Sequence, residues 1–105
     1  MSVRAYLIKN ITSKIEGDEL IIEKILEKTP TFNLNKHWKL LQLLNEHDCD
    51  NTNNDLTGEI VIDKDTWKII LNKLLNEDYS PIELKIIEKI NNDLKNRDII
   101  YYECF

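Results

Sequence analysis

The stretch Ser80-Pro81-Ile82-Glu83-Leu84-Lys85-Ile86-Ile87-Glu88-Lys89-Ile90-Asn91-Asn92-Asp93-Leu94, with Ile99-Ile100-Tyr101-Tyr102-Glu103-Cys104-Phe105 shortly after it, decides the fold. Ser80 can accept hydrogen bonds from the first free N–H groups of a helix, and Glu83 can reach back to the cap residue. Pro81 falls at the first helical position, where its missing N–H costs nothing. Ile82, Ile86, Ile87, Ile90 and Leu94 recur at helical spacing, so one face must bury. The helix is expected to end near Asn96-Arg97-Asp98. The segment Ile99–Phe105 is rich in β-branched and aromatic residues and reads as a strand. A closing strand needs partner strands, and the rest of the chain must supply them.

Working outward, Glu59-Ile60-Val61-Ile62 reads as a short strand. Asp63 or Asp65 then caps a helix carrying Trp67, Ile70, Leu71 and Leu74. Ser2 to Ile8 reads as a first strand by alternation. Ser13-Lys14-Ile15-Glu16 is a second cap signature, with Asp18 as the other start. Ile21, Ile22, Ile25 and Leu26 give the apolar face of the helix expected there, which Thr29-Pro30 stops. Asn33 or Asn35 caps a further helix with Trp38, Leu41 and Leu44 on its buried face. The polar run from Glu46 to Asp55 makes the longest loop, closed by Gly58. The expected order is strand, helix, helix, strand, helix, helix, strand. That is an α+β fold in one domain, residues 1–105: a small three-stranded sheet of N-terminal, central and C-terminal strands packed with four helices.

Apolar residues make up 42% of the 105, enough for a core at this size without a metal or disulfide staple. No apolar run approaches the ~20 residues of a membrane helix, so a cytoplasmic location with no membrane contact is expected. The net charge of -5 argues against broad phosphate-backbone binding. Cys49 and Cys104, with no C-x-x-C pair, are expected to be free thiols.

Three constellations bear on chemistry. Asp48, Asp50, Thr52 and Glu59 fall at calcium-loop spacing. Against that, Asn53 stands where the turn needs glycine, Asp55 where an apolar residue is usual, and a strand follows; a solvated loop is expected. His47 and Cys49 can be drawn as a base and a thiolate, but nothing supplies an oxyanion hole, so a polar surface loop is expected here too. No catalytic residue, metal or cofactor is therefore expected. If the first and last strands pair, Tyr6 would share a face with Tyr101 or Tyr102, as cross-strand packing or as a grip on a protein.

With those residues in view, the chain resembles short proteins of phages and low-GC bacteria. They open with a sequence like Met1-Ser2-Val3-Arg4-Ala5-Tyr6 and close on an aromatic segment ending in Cys-Phe, here Tyr101-Tyr102-Glu103-Cys104-Phe105. Thr31-Phe32-Asn33-Leu34 and Gly58-Glu59-Ile60-Val61-Ile62 belong to the likeness. It implies a mobile-element setting and no catalytic motif. The expectation is a non-enzymatic protein-binding module that inhibits a host defence system in an anti-CRISPR-like manner. It would bind a host protein or nucleoprotein complex through Asp48, Asp50, Asp55, Tyr6, Tyr101 and Tyr102. The alternative is a nucleotide-binding sponge acting as a symmetric homo-oligomer.

Overall fold

A computed structural model describes residues 3–105; the expected strand start at Ser2 lies outside them. The elements in order are β1 (Val3–Glu16), β2 (Glu19–Leu26), β3 (Phe32–Leu34), α1 (Lys39–Glu46), β4 (Asp50–Thr52), β5 (Gly58–Asp63), α2 (Lys64–Leu74), α3 (Pro81–Leu94) and β6 (Ile99–Cys104). The class is α+β, but a three-stranded sheet with four helices is wrong. Six strands pair antiparallel in the order β2-β1-β6-β5-β4, with β3 on β1, and the described residues hold three helices.

The helix expected over residues 18–28 is strand β2. Its spacing of Ile21, Ile22, Ile25 and Leu26 suits a helix, but Ile8–Glu16 offers a matching β-branched run directly upstream. The two-residue turn Gly17-Asp18 joins them, and Gly17 has φ 60. Glycine with positive φ at the first turn position is the II′ pattern, whose twist suits a hairpin. The cap signature at Ser13 is therefore strand sequence, with Ser13 opposite Ile22.

β1 has two different halves. Its first half pairs with β3 through Val3–Ala5 and with β6 through Ala5–Leu7. Its second half pairs only with β2, after a register shift between Ile8 and Asn10. Beyond that shift β1 leaves β6 and runs out with β2 as a two-stranded arm. The Arg97 guanidinium donates to the Ile8 carbonyl (3.1 Å) and the Lys9 carbonyl (3.4 Å) where the two strands part. The return strand keeps to the same edge, since Glu27 N–H donates to Leu7 (2.9 Å) and Thr31 N–H to Ala5 (2.8 Å). Thr29-Pro30 thus breaks one long strand into β2 and β3, as proline does at a sheet edge.

β6 alternates as its sequence requires. Ile100, Tyr102 and Cys104 are buried on the helix side; Tyr101 and Glu103 face the other way. The helices bring Leu40 and Leu44, Trp67 and Ile70, and Ile86, Ile87 and Ile90 onto Ile60, Ile62 and Ala5 in one core. Each such side chain contributes about 1.5–3 kcal/mol on burial. Gly58, at φ 138, lies so close to β4 that a Cβ would stand 2.8 Å from the Asn51 carbonyl oxygen.

The capping box forms as read. Ser80 Oγ accepts from Glu83 N–H (3.3 Å), and Glu83 Oε1 accepts from Ser80 N–H (3.3 Å). Glu83 is only 4% exposed, and its Oε2 accepts the Leu40 N–H (3.1 Å) in the first turn of α1. The N-cap of α1 is Trp38, which has no side-chain cap. Asn35 Oδ1 accepts from His37 N–H instead, so neither Asn33 nor Asn35 is the cap. Asp63 holds the N-cap position of α2 without capping through its side chain. One carboxylate thus serves the free N–H groups and positive ends of two helices. Glu83→Ala is expected to cost about 2–4 kcal/mol, because it strands buried donors in both helices. Exposed Glu88→Ala on the same helix is expected to change stability by less than about 0.5 kcal/mol. Urea unfolding of the two variants checks this.

Candidate functional site

The three helices cover one face of the sheet. The other face carries Tyr6, Glu59, Val61, Tyr101 and Glu103 in cross-strand rows. Tyr6 stacks on Phe105 with centroids 4.9 Å apart and planes 14° apart. Tyr6 and Tyr101 therefore share a face, as anticipated. Tyr102 does not. It points into the core, edge-on to Phe32 at 5.3 Å, and its hydroxyl donates to Asp93 Oδ2 (2.7 Å). Burial and Asp93 push its pKa far up, so Tyr102 is a core residue and not a contact residue.

The root of the arm bends toward this open face. Lys24 pairs with Ile11, five positions along β1 from Tyr6. Yet its ammonium reaches Glu59 (2.5 Å) and Glu103 (2.8 Å), in the row of Tyr6. A straight ribbon would not bring them together; the bulge at Lys9 turns it, as bulges do. Glu59 and Glu103 are direct cross-strand neighbours, a like-charge pair that disfavours the sheet unless neutralised. Lys24 neutralises it, and Glu103 first and Glu59 second hold its pKa above the usual lysine range.

Residues on Lys24's side of the arm follow from the register: Ile11, Ser13, Ile15, Leu20 and Ile22. The four aliphatics are 46%, 76%, 64% and 55% exposed in chain order. They form one exposed apolar face of the arm, on the side from which Lys24 reaches the sheet. Sequence reading missed this surface because it placed half the arm in a helix. The signal was present as two β-branched runs flanking Gly17-Asp18.

The loop acids lie at the opposite edge of the sheet, near β4. Asp48, at φ 60, ends α1, a conformation aspartate tolerates better than most residues. Asp50 is half-buried in β4 and accepts from Thr52 N–H (2.9 Å) and from the Thr52 hydroxyl. Asp55 is exposed, and its N–H donates to Asn53 Oδ1 (2.9 Å). Glu59 of the calcium pattern pairs with Asn51 and faces Lys24, away from any loop centre. Among the described residues, no group of three or more His, Cys, Asp or Glu is placed to hold a metal ion. The six expected contact residues thus separate into the loop edge, the open face and the core.

The Cys49–His47 pair does not form. The Cys49 thiol donates to the His47 backbone carbonyl (3.7 Å), and the enclosed His47 Nε2 has no partner among the described residues. Burial, with Asp63, Asp48 and Asp50 around it, pushes the Cys49 thiol up to about 11. Burial likewise pushes Cys104 up to about 12. A nucleophilic cysteine needs the opposite shift. The cleft at the loop edge holds about 400 Å³ and is lined by Lys36, Gln42, Asn45 and Asp50, with Lys36 its one cation. A second groove of about 300 Å³, between Phe32, Trp38 and Ile82, has Lys85 and Lys89 on its rim. Among the described residues, no helix is long and apolar enough to cross a membrane.

Two outcomes follow. Native Cys49 is expected to alkylate very slowly at pH 8, where a thiol near 11 is roughly 0.1% thiolate; the rate should climb with pH without levelling until about 11. Stopped alkylation read by mass checks this, and a plateau near neutral pH would restore the thiolate reading. Lys24→Met is expected to speed hydrogen exchange across the arm about fivefold, the loss of ~1 kcal/mol. Because Lys24 is raised in the folded state, its contribution is fully present below the ordinary lysine value of ~10.4. It is lost only as pH rises through the higher folded value. No family model matches this chain, and neither does any curated protein or solved structure.

Proposed function

We propose that this chain is a non-enzymatic protein-binding module whose contact surface is the underside of the arm together with the open sheet face. The observation that carries the reading is the arm itself. Ile11, Ile15, Leu20 and Ile22 share one face of a two-stranded ribbon that has no helix packed on it. A two-stranded ribbon alone is marginal in water, so an arm of this length gains most from a surface that covers it. Contiguous exposed aliphatics of this kind mark protein contact sites. The open sheet face adds Tyr6 and Tyr101, amphipathic side chains favoured at interfaces. The raised Cys49 and Cys104 thiols support a non-enzymatic reading, since the chain's only two thiols sit in surroundings that suppress thiolate. The phage-like chain ends supply the setting for this proposal: binding in place of a host partner, and so inhibition of a host defence system.

The test compares the immobilised wild-type chain with a variant carrying Ile15→Asp and Leu20→Asp. Both positions are exposed near the arm tip, so the melting temperature should stay within a few degrees. Wild type is expected to retain a discrete protein partner, its own chain included, that the variant releases. Equal retention by both, or none by either, would count against the arm as the contact surface.

A further inference from the structure

The edge strand β3 carries a second surface, on the half of β1 that precedes the arm. β3 pairs only with β1. On its other side β1 exchanges both backbone bonds of Arg4 with Phe105, at 3.2 and 3.1 Å. Arg4 therefore turns its N–H and C=O away from β3, and its cross-strand partner Asn33 sits at a non-hydrogen-bonded position of that pair. The Asn33 N–H and C=O face outward, and among the described residues nothing bonds to either. Outward backbone groups on an edge strand are a template for one more strand.

A groove of about 300 Å³ runs beside that edge, between β3 and α3. Phe32 and Trp38 line one side. Ile82, Lys85, Ile86 and Lys89 line the other, and they fall at i, i+3, i+4 and i+7, the stripe that one helix face presents. Ile86 is buried, but Ile82 is 63% exposed and Trp38 is half-buried, so the core leaves this apolar bed open. Charge marks the rim. In a chain with 19 acidic residues, neither Lys85 nor Lys89 has a carboxylate within ion-pair distance among the described residues. Lys89 Nζ instead donates to the Thr31 carbonyl (2.9 Å), which holds an ammonium at the strand edge.

These features select the occupant. A helix spends its backbone groups internally and would leave those of Asn33 unmet, whereas an extended segment matches them. A strand in that place turns alternate side chains toward α3. Aliphatic ones fill the groove, and a carboxylate beside them meets the two lysines.

We propose that β3 and α3 form a peptide-binding groove. It takes an extended segment of another protein as an added strand, with aliphatic side chains between Trp38 and Ile82 and a carboxylate against Lys85 and Lys89. The site shares no residue with the arm and goes beyond the reading of that surface.

A library of random linear peptides displayed on phage, selected on the purified chain, tests it. Enriched sequences are expected to alternate aliphatic residues and to carry Asp or Glu. The most enriched peptide is then synthesised and its affinity read by fluorescence anisotropy. Lys85→Glu with Lys89→Glu should weaken binding about tenfold, and Ile82→Asp by a similar factor. All three positions are exposed, so the melting temperature should stay within a few degrees. Methylating alternate backbone nitrogens of the peptide should weaken binding in one set and spare it in the other, because an added strand is bonded along one edge. The arm variant with Ile15→Asp and Leu20→Asp should bind the peptide as wild type does. No enriched sequence, or a peptide indifferent to the Lys85, Lys89 and Ile82 changes, would overturn the groove and leave the arm reading as it stands. A peptide that N-methylation weakens nowhere would overturn the added strand. Loss of the peptide in the arm variant alone would move the contact to the arm and overturn the groove.

Discussion

The structure depends on β6 being satisfied along both of its edges. Its backbone pairs with β1 on one side and β5 on the other, through Ala5–Leu7 and Gly58–Asp63. Buried peptide groups must be hydrogen-bonded, and a strand buried on one face finds partners for them only in neighbouring strands. Without β6 the sheet would be two separate pieces: the β1–β2–β3 unit and the short β4–β5 hairpin. The same strand carries Ile100, Tyr102 and Cys104 into the core, so backbone pairing and side-chain burial fix it together. Lys64 N–H donates to the Asp98 carbonyl (3.0 Å), tying the start of α2 to the entry of β6.

Glu83 does for the helical layer what β6 does for the sheet. A short helix such as α1 cannot stand alone, and its first turn opens without a local side-chain cap. The carboxylate that closes it comes from α3, 43 residues later. A buried charge is costly unless fully partnered, and here two helix N-termini partner it. The cost and the gain therefore sit at one point, between α1 and α3. The second indole shows a similar economy: Trp67 is buried, and its Nε1–H donates to Asn91 Oδ1 (2.6 Å), joining α2 to α3. A buried carboxylate and an indole N–H thus tie α1 and α2 to α3.

Against this well-satisfied body, the arm is the part of the chain whose apolar surface is not spent on its own core. Its root is firm: a bulge, the Arg97 guanidinium on two carbonyls, and Lys24 between two glutamates. Its outer half has only the partner strand. A rigid root with an uncovered apolar end is the arrangement of a segment made to meet another surface, since ordering the root beforehand reduces what must be ordered on contact. The reading of the protein as a binding module grows from that contrast.

Some of this was legible in residue order alone. The Ser80–Glu83 capping box, the Pro81 start and the closing strand formed as read, and so did the α3 apolar face except at Ile82, which is 63% exposed in the first turn; caps and periodicity act within about four residues. The strand at Gly58–Asp63 and the burial of Trp67, Ile70 and Leu74 belong to the same class. The region from Asp18 to Lys28 did not, because Ile21, Ile22, Ile25 and Leu26 satisfy a helix and a two-faced strand equally well. Only the pairing of Ile8–Glu16 across Gly17-Asp18 separates the two, and that is a property of two segments together. Tyr6 and Tyr101 on one face, with Tyr102 on the other, followed from alternation once β1 and β6 were neighbours. That neighbourhood, the reach of Glu83 to Leu40 and the arch of Lys24 over Glu59 and Glu103 were decided by tertiary structure alone. Residues 35 to 99 positions apart meet through backbone groups and charges that every segment of the chain offers, so nothing local could select them; the shared core does.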